Sequence, residues 1–184
     1  MLFRSTLEIG AGVGEHLTYE HLSAEQRRNY VAVELRSVMA DQIARRHPDI
    51  KVHVGDCQQR LDFDDGTFDR ILAVHVLEHL PNLPAAVREM HRVCNKQRGR
   101  FQVVIPAEGG LAYGFARRIS SQRIFERRYK MPYAWVMERE HVNVPREIFE
   151  VLDEHFTIEH RSFFPLVVPV VNLNLVIGIT LKPR

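Results

Sequence analysis

Three glycines follow a short apolar run near the start of the chain, where they could form a ligand-binding loop. Residues 6–9 have the pattern of a buried strand, and Gly10, Gly12 and Gly14 come directly after it. Glycine permits a tight turn and lets a ligand approach the backbone, and the N–H groups at the start of a following helix favour anionic groups. The spacing therefore predicts a loop that binds a nucleotide-like ligand.

Two carboxylates stand at the ends of the next two apolar runs. Glu34 follows the glycine loop by about 20 residues, and Asp56 comes directly after Gly55. A carboxylate at the end of a strand can accept both hydrogen bonds from the hydroxyls of a ribose. Two alternatives stay open: Glu34 could be a solvated carboxylate, and Asp56 could only form a turn by bonding its own backbone. The glycine loop upstream favours the binding role for both.

The remaining pattern shows which elements would position these residues. Apolar runs rich in β-branched residues alternate with amphipathic stretches, which is typical of βαβ units in a parallel sheet. Strands are predicted over residues 6–9, 30–33, 51–54, 70–74, 100–105, 157–164 and 172–181. Helices are predicted over residues 14–22, 37–47, 83–93 and 146–154. Residues 107–140 break the pattern with glycines, aromatics and arginines, and we expect them to form an inserted lid or substrate-side segment.

The glycine loop differs from that of dinucleotide-binding proteins. Their fingerprint needs its third glycine at the position of Glu15, whereas here the third glycine is Gly14 and an acidic residue, Glu8, stands before the first one. These differences disfavour a nicotinamide-dependent oxidoreductase and favour another cofactor.

The order of the motifs resembles that of the class I S-adenosylmethionine-dependent methyltransferases. Their first motif is matched at four positions, Glu8, Gly10, Gly12 and Gly14. Glu34 and Asp56 stand where the family's acidic residues follow the second and third strands. Residues 68–80 are similar to the fourth motif, especially to that of the ubiquinone-biosynthesis type of small-molecule methyltransferase. The four motifs span residues 6–80, and a looser resemblance covers most of the chain.

This resemblance implies a fold and an activity. The fold would be a single Rossmann-like α/β domain over residues 1–184, with a mostly parallel seven-stranded sheet, helices on both faces and an antiparallel last strand. The activity would be transfer of a methyl group from S-adenosylmethionine to an oxygen, nitrogen or carbon atom of a small molecule, leaving S-adenosylhomocysteine. A non-catalytic methyltransferase-like scaffold subunit is the alternative, because a fold does not by itself establish a function.

The resemblance also implies which residues hold the cofactor. Glu34 would meet the ribose, Asp56 the adenine amino group, and Cys57 would contribute at most its backbone amide. Residues 73–76 would line the methionine end, and Glu8 would either contact the ligand or hold the amides of the loop. The implied cofactor-binding set is Glu8, Gly10, Ala11, Gly12, Gly14, Glu34, Leu35, Asp56, Cys57, Ala73, Val74 and His75.

Residues 75–79 also match a zinc-peptidase signature. The segment runs from His75 through Glu78 to His79 and fits H-x-x-E-H, in which two histidines on one helical face bind zinc. That motif requires a continuous helix, whereas the apolar run 71–74 predicts a buried strand that ends at His75. We therefore predict no metal site. The resemblance implies that Glu78 and His79 open the next turn, either as structural groups or as groups that support the residues in contact with the cofactor.

Two features bear on the acceptor and on catalysis. Residues 115–130 alternate arginines with apolar residues, which predicts an amphipathic helix whose basic face either is solvated or attracts an anionic or amphipathic molecule or an acidic membrane surface. His141 follows this segment and is the candidate catalytic base, although a role in positioning the lid is the alternative.

Composition limits the remaining classes. The 184 residues carry a net charge of +2 and two cysteines, Cys57 and Cys94, which disfavours a nucleic-acid partner and a disulfide framework. With no signal peptide and no spanning segment in the pattern, a cytoplasmic protein is expected. About five residues precede the first strand, so we expect the N-terminal helices usual in the family to be short or missing, and either a monomer or a homodimer that covers the gap.

Overall fold

Seven strands form one sheet in the computed structural model of the chain, which describes residues 3–107, 142–166, 170 and 173–184. The strands are β1 (Thr6–Ile9), β2 (Tyr30–Glu34), β3 (Lys51–Val54), β4 (Arg70–Val74), β5 (Arg100–Pro106), β6 (Phe156–Phe164) and β7 (Val176–Pro183). Their order in the sheet is β3-β2-β1-β4-β5-β7-β6. The first five run parallel, and β7 lies antiparallel to both β5 and β6. The predicted mostly parallel sheet with an antiparallel last strand is confirmed.

Four helices connect the strands of the described residues. They are α1 (Ala24–Arg28), α2 (Ser37–Arg46), α3 (Leu83–Val93) and α4 (Pro145–Asp153), and single 3-10 turns cover His16–Thr18 and Leu77–His79. The apolar face predicted for α3 is buried, with Leu83, Val87, Met90 and Val93 packed in the core beside residues of β1 and β4. The helix bounds predicted around α2, α3 and α4 agree with the structure to within one residue.

The helix predicted over residues 14–22 is wrong. Gly14 has a φ of +77°, outside the helical region, and only the 3-10 turn His16–Thr18 follows it. The helix begins later, at Ala24, because Ser23 and Gln26 form a reciprocal cap in which each side chain accepts the other's backbone N–H. This cap satisfies two N–H groups that a helix start leaves without partners, so it fixes the helix there.

The parallel register brings four loops to one edge of the sheet. In register, Ile9 of β1 lies opposite Val33 of β2 and Ala73 of β4, and Glu34 lies opposite Val54 of β3. The segments that follow β1, β2, β3 and β4 therefore leave the sheet side by side at its carboxyl edge. Ligands of open α/β sheets bind at this edge.

Some sequence predictions fall outside the described residues. Of the predicted lid, 107–140, only Ala107 is described, and His141 and residue 172 also lie outside. The start predicted for the strand 172–181 is wrong, because residues 173–175 are described outside any strand and β7 begins at Val176. Among the helices that the structure describes, none combines the length and the apolar character needed to cross a membrane.

Candidate functional site

A cavity of about 590 Å³ opens at the carboxyl edge of the sheet. All four loops that follow β1 to β4 contribute to its walls, for example through Gly12, Glu34, Asp56 and His75. The cavity therefore spans the edge from β3 to β4 and has the size of a small-molecule or cofactor site.

The two glycines of the loop after β1 that line the wall have different physical reasons to be glycine. Gly10 and Gly12 both have positive φ, +61° and +59°. A Cβ on Gly10 would lie 2.6 Å from Cγ2 of Val76, so the loop packs against the segment after β4 only without a side chain there. A Cβ on Gly12 would meet no atom of the residues that the structure describes within 4 Å. Because Gly12 lines the cavity, the space that it leaves open is space for a ligand.

Glu34 is held rigidly beside this glycine. Its side chain is 7% exposed; Oε2 accepts the N–H of Gly12 at 2.9 Å, and Oε1 accepts the N–H of Arg36 at 3.1 Å. An ionised carboxylate oxygen accepts about two hydrogen bonds, so both oxygens keep capacity for the hydroxyls of a ribose. The carboxylate thus joins the glycine loop to the end of β2 and faces the cavity.

The loop after β3 supplies a second carboxylate and part of an apolar wall. Oδ1 of Asp56 accepts the backbone N–H and the side-chain Nε2 of Gln58, at 2.9 and 3.0 Å. Asp56 thus forms the turn that the alternative interpretation expected, and it also lines the cavity. Burial raises the pKa of the Cys57 thiol to about 12, so this side chain is neutral and its backbone amide is its useful group. The exposed Leu35 and the half-buried Met39 add apolar surface on the β2 side.

The segment after β4 places a histidine in the cavity wall. β4 ends at Val74, and His75 has a φ of +55°, which is rare for a residue other than glycine. Its Nδ1 lies 3.2 Å from Oε1 of the buried Glu78, and only the 3-10 turn Leu77–His79 follows. The continuous helix that the zinc signature requires is therefore not formed. Within residues 3–107 and 142–184, as far as they are described, no group of three or more possible ligand side chains could hold a metal ion.

The structure brings part of the predicted cofactor set together. Of that set, the cavity wall contains Gly10, Gly12, Glu34, Leu35, Asp56, Cys57 and His75. Ala11 and Gly14 instead shape the loop, since Ala11 donates its N–H to Val33 and Gly14 donates its own to Ala11. Ala73 is fully buried in the sheet, and Val74 does not reach the wall. His141 lies outside the described residues.

Glu8 lies beneath the loop instead of in the cavity wall. It is 2% exposed, and its Oε2 accepts the hydroxyl of Tyr30 at 2.8 Å. Its Oε1 lies 3.6 Å from Nδ1 of His16. Burial is the main cause that raises the pKa of Glu8 to about 7. Glu8 is therefore a core group that does not line the cavity, and within the described residues its side chain contacts Tyr30 and His16 instead of the loop amides that the alternative expected.

Several wall residues were not part of the predicted set. They are Val33, Arg36, Met39, Gly55, Gln58, His79, Leu80 and Pro81, whereas Val76, also in the wall, belongs to the segment 73–76 expected at the methionine end. Most lie within a few residues of a predicted position, so a prediction that included the residues next to each strand end would have contained them. The positions of Met39 and Leu80 depend on how α2 and the turn after β4 fold back, and no local pattern signals that.

A known protein family matches the part of the chain that contains the cavity wall. Residues 7–101 match the model of a family described as a methyltransferase domain. These residues contain β1 from its second residue, β2 to β4, all four loops of the cavity wall and the start of β5. No curated protein sequence matches the chain.

Solved structures share the fold at low sequence identity. A TehB-like SAM-dependent methyltransferase from Corynebacterium glutamicum has a TM-score of 0.67 and 14% identity, with coverage of 100% of this chain and 83% of its own. The N-methyltransferase NodS from Bradyrhizobium japonicum, in complex with S-adenosyl-L-homocysteine, has a TM-score of 0.66 and 16% identity, covering 99% and 79%. The cyclase SpnF has a TM-score of 0.66 and 15% identity, covering 97% and 74%.

Proposed function

The chain belongs to the methyltransferase domain family, and from this premise we propose that it binds S-adenosylmethionine in the cavity and transfers a methyl group to a small molecule. The atom that receives the methyl group would be an oxygen, a nitrogen or a carbon. The order of the wall residues supports this assignment, because the nucleoside end and the amino acid end of the cofactor can be bound one after the other along the four loops.

The wall residues offer complementary groups to such a cofactor. Glu34 would accept the ribose hydroxyls, and Asp56 would accept the adenine amino group, with the amide of Cys57 beside it. Gly10 and Gly12 would allow close approach of the backbone, and His75 would stand at the methionine end. The observation that carries the proposal is the pairing of Glu34 with the N–H of Gly12, whose missing side chain leaves room for a ligand next to a fixed carboxylate.

Catalysis would depend mainly on positioning. The cofactor, when bound, supplies a methyl group already activated on a sulfonium. The chain's own residues must then hold the acceptor in line and exclude water, and such positioning can lower a barrier by roughly 7 to 11 kcal/mol. A base is needed only when the acceptor atom must lose a proton. His141 remains a proposed base, and the basic segment 115–130 supports an anionic or amphipathic acceptor.

Calorimetric titration with S-adenosylhomocysteine tests the proposal. We expect saturable one-site binding by the wild-type chain, and binding weaker by about tenfold or more in Glu34→Ala, because charge-assisted hydrogen bonds to the ribose are lost. The control is Glu150→Ala, which removes an exposed carboxylate on α4 that pairs with Arg146. Absence of binding to the folded wild-type chain, or equal affinity in the Glu34 and Glu150 variants, would contradict the proposal.

A use of the fold without methyl transfer is the second candidate. A cyclase among the structures with this fold favours it, since the same architecture then serves other chemistry. Labelled S-adenosylmethionine separates the two candidates. Tight binding together with no labelled product from phenols, amines or carbon acids would favour the second one.

A further inference from the structure

A buried carboxylate holds the histidine of the cavity wall. The side chain of His75 is 46% exposed and that of Glu78 is 1% exposed, and Nδ1 of the imidazole lies 3.2 Å from Oε1 of the carboxylate. A carboxylate accepts hydrogen bonds only, so this contact requires the proton of a neutral imidazole to be on Nδ1. Nε2 is then the unprotonated nitrogen, which is the state that a general base needs.

The second oxygen of this carboxylate makes no hydrogen bond that would explain its burial, as far as the residues are described. Oε2 of Glu78 is buried without a hydrogen-bond partner among the described residues. A buried charged oxygen left in this way is costly, and such groups in native structures call for an explanation. An ion pair that forms when the neighbouring imidazole takes up a proton provides one, because the developing positive charge would lie beside a preformed negative one.

The backbone near His75 and Glu78 is held by hydrogen bonds from residues 142 and 143, which lie just before α4. The carbonyl of Glu78 accepts the N–H groups of Val142 and Asn143 at 2.9 and 3.2 Å. The side-chain amide of Asn143 donates to the carbonyls of Leu77 and Leu80, both at 2.8 Å. His75 itself is held at a φ of +55°, and residues kept in such sparsely populated conformations cluster at functional sites.

The sheet order places this pair at one end of the cavity. Asp56 follows β3, Glu34 ends β2, the glycine loop follows β1, and His75 follows β4, in the spatial order of the strands. A ligand whose nucleoside end lies at Asp56 and Glu34 therefore extends toward His75. The imidazole stands at the end where the reactive group and the acceptor would meet.

We propose that His75 is a catalytic base for acceptors that lose a proton, and that Glu78 is a positioning residue that fixes its Nδ1–H tautomer; this inference rests on the proposed function. The acceptor's X–H bond breaks, and its proton goes to Nε2 of His75. The electron pair left on X forms the bond to the methyl group, and the pair of the broken carbon–sulfur bond stays on sulfur. The imidazolium formed is paired with the carboxylate of Glu78.

Nitrogen NMR of the imidazole groups tests the pair without any acceptor. The chain is labelled at histidine nitrogens and saturated with S-adenosylhomocysteine, and the signal that disappears in His75→Asn is assigned to His75. Asparagine is chosen because it tolerates positive φ. We expect the Nδ1–H tautomer in the wild type and in Glu78→Gln, which keeps an acceptor, and the ordinary Nε2–H tautomer in Glu78→Met. An Nε2–H tautomer in the wild type, or an unchanged Nδ1–H tautomer in Glu78→Met, would overturn the proposal.

Transfer of labelled methyl groups tests the catalytic role. With a phenol, an aliphatic amine and a carbon acid as acceptors, we expect His75→Asn to lower kcat by about 100-fold or more and KM far less, while its affinity for S-adenosylhomocysteine stays within about tenfold. His160→Asn, on the exposed face of β6, is the control with unchanged transfer. Loss of transfer in His141→Asn but not in His75→Asn would overturn the assignment. A wild-type chain that binds no S-adenosylhomocysteine would instead contradict the proposed function.

Discussion

At the scale of single residues, two different properties favour glycine at position 12: the backbone conformation and the open space beside it. Its φ of +59° makes any other residue strained, a Cβ there would meet no atom of the described residues within 4 Å, and Gly12 lines the cavity. Gly66 has a similar φ of +69°, and its nearest neighbour for a Cβ is the backbone of Asn95 at 3.9 Å, away from the cavity. The two glycines therefore form a matched pair with the same backbone cost and different surroundings.

We expect Gly12→Ala and Gly66→Ala to lower the free energy of unfolding alike, by about 1 to 2 kcal/mol, since each forces a Cβ into the left-handed region. Only Gly12→Ala should weaken binding of S-adenosylhomocysteine, by about tenfold or more, because its methyl group would occupy ligand space. Urea unfolding and calorimetry measure the two effects. Equal affinities in the two variants would show that the ligand does not approach Gly12.

Glu8 is the residue whose ionisation should affect stability most directly. Its neighbours are Tyr30 from β2, His16 from the turn after the loop, and the ion pair of Glu20 with Arg70 from β4. Desolvation raises the pKa of Glu8 from 4.5 to about 7, against the hydrogen bond from Tyr30, which lowers it. Burial also lowers the pKa of His16, so the cluster disfavours charge on both groups.

The sign of the pH dependence follows from this raised pKa. Between pH 4.5 and about 7, the folded chain keeps a proton on Glu8 that the unfolded chain has lost, so the contribution of Glu8 to stability falls as pH rises through this window. Glu8→Gln should abolish this slope, and its stability relative to the wild type should increase across the window by about 3 kcal/mol. Urea unfolding at several pH values measures the difference, with the exposed Glu150→Gln as control. A difference that does not change with pH would contradict the raised pKa.

At the scale of elements, the turn Leu77–His79 joins the cavity to the rest of the molecule. The segment before α4 closes onto this turn through Asn143, which bonds the carbonyls of Leu77 and Leu80. Because His79 and Leu80 line the cavity, the position of the segment before α4 affects the shape of the site. A comparable amide, that of Asn95, closes a turn at the opposite end of α3.

We expect Asn143→Ala and Asn95→Ala to lower the free energy of unfolding by similar amounts, about 1 to 3 kcal/mol, because each leaves backbone groups without partners. Asn143→Ala should also weaken binding of S-adenosylhomocysteine by about threefold to tenfold, whereas Asn95→Ala should not. Calorimetry on both variants decides this. If both bind like the wild type, the turn is held in place without Asn143.

At the scale of the whole molecule, the site exists only when β1 to β4 are aligned. Its wall combines residues from four loops that are adjacent in space and up to about 70 positions apart in sequence, from Gly10 to Pro81. An unfolded chain cannot offer this arrangement. Ligand binding should therefore stabilise the native state by mass action.

At a concentration of S-adenosylhomocysteine about 100 times its Kd, the free energy of unfolding should rise by about 2.7 kcal/mol. Glu34→Ala at the same ligand concentration should gain less, in proportion to its weaker affinity. Urea unfolding with and without ligand measures both gains. Equal gains in the two proteins would mean that the ligand binds elsewhere.

The sequence alone predicted most of the elements and part of the cavity wall at the carboxyl edge of the sheet. The bounds of α3 and of β1, β3 and β4 were predicted correctly, because hydrophobic period and β-branched runs are local properties of the chain. The glycine loop with Glu34 and Asp56 was recognisable because its spacing follows from strand ends that meet at one edge. The helix predicted over 14–22 failed at a point where backbone conformation at Gly14 outweighed local periodicity.

Only the tertiary structure decided which predicted residues face the cavity and which groups meet across the chain. It placed Glu8 under the loop against Tyr30, paired His75 with Glu78 through an unusual backbone conformation, and joined Asn143 to Leu77 across 66 positions. These contacts depend on sheet register, on burial and on how distant segments pack. None of those quantities is encoded in the periodicity of any single segment, so they arise only when the whole chain folds.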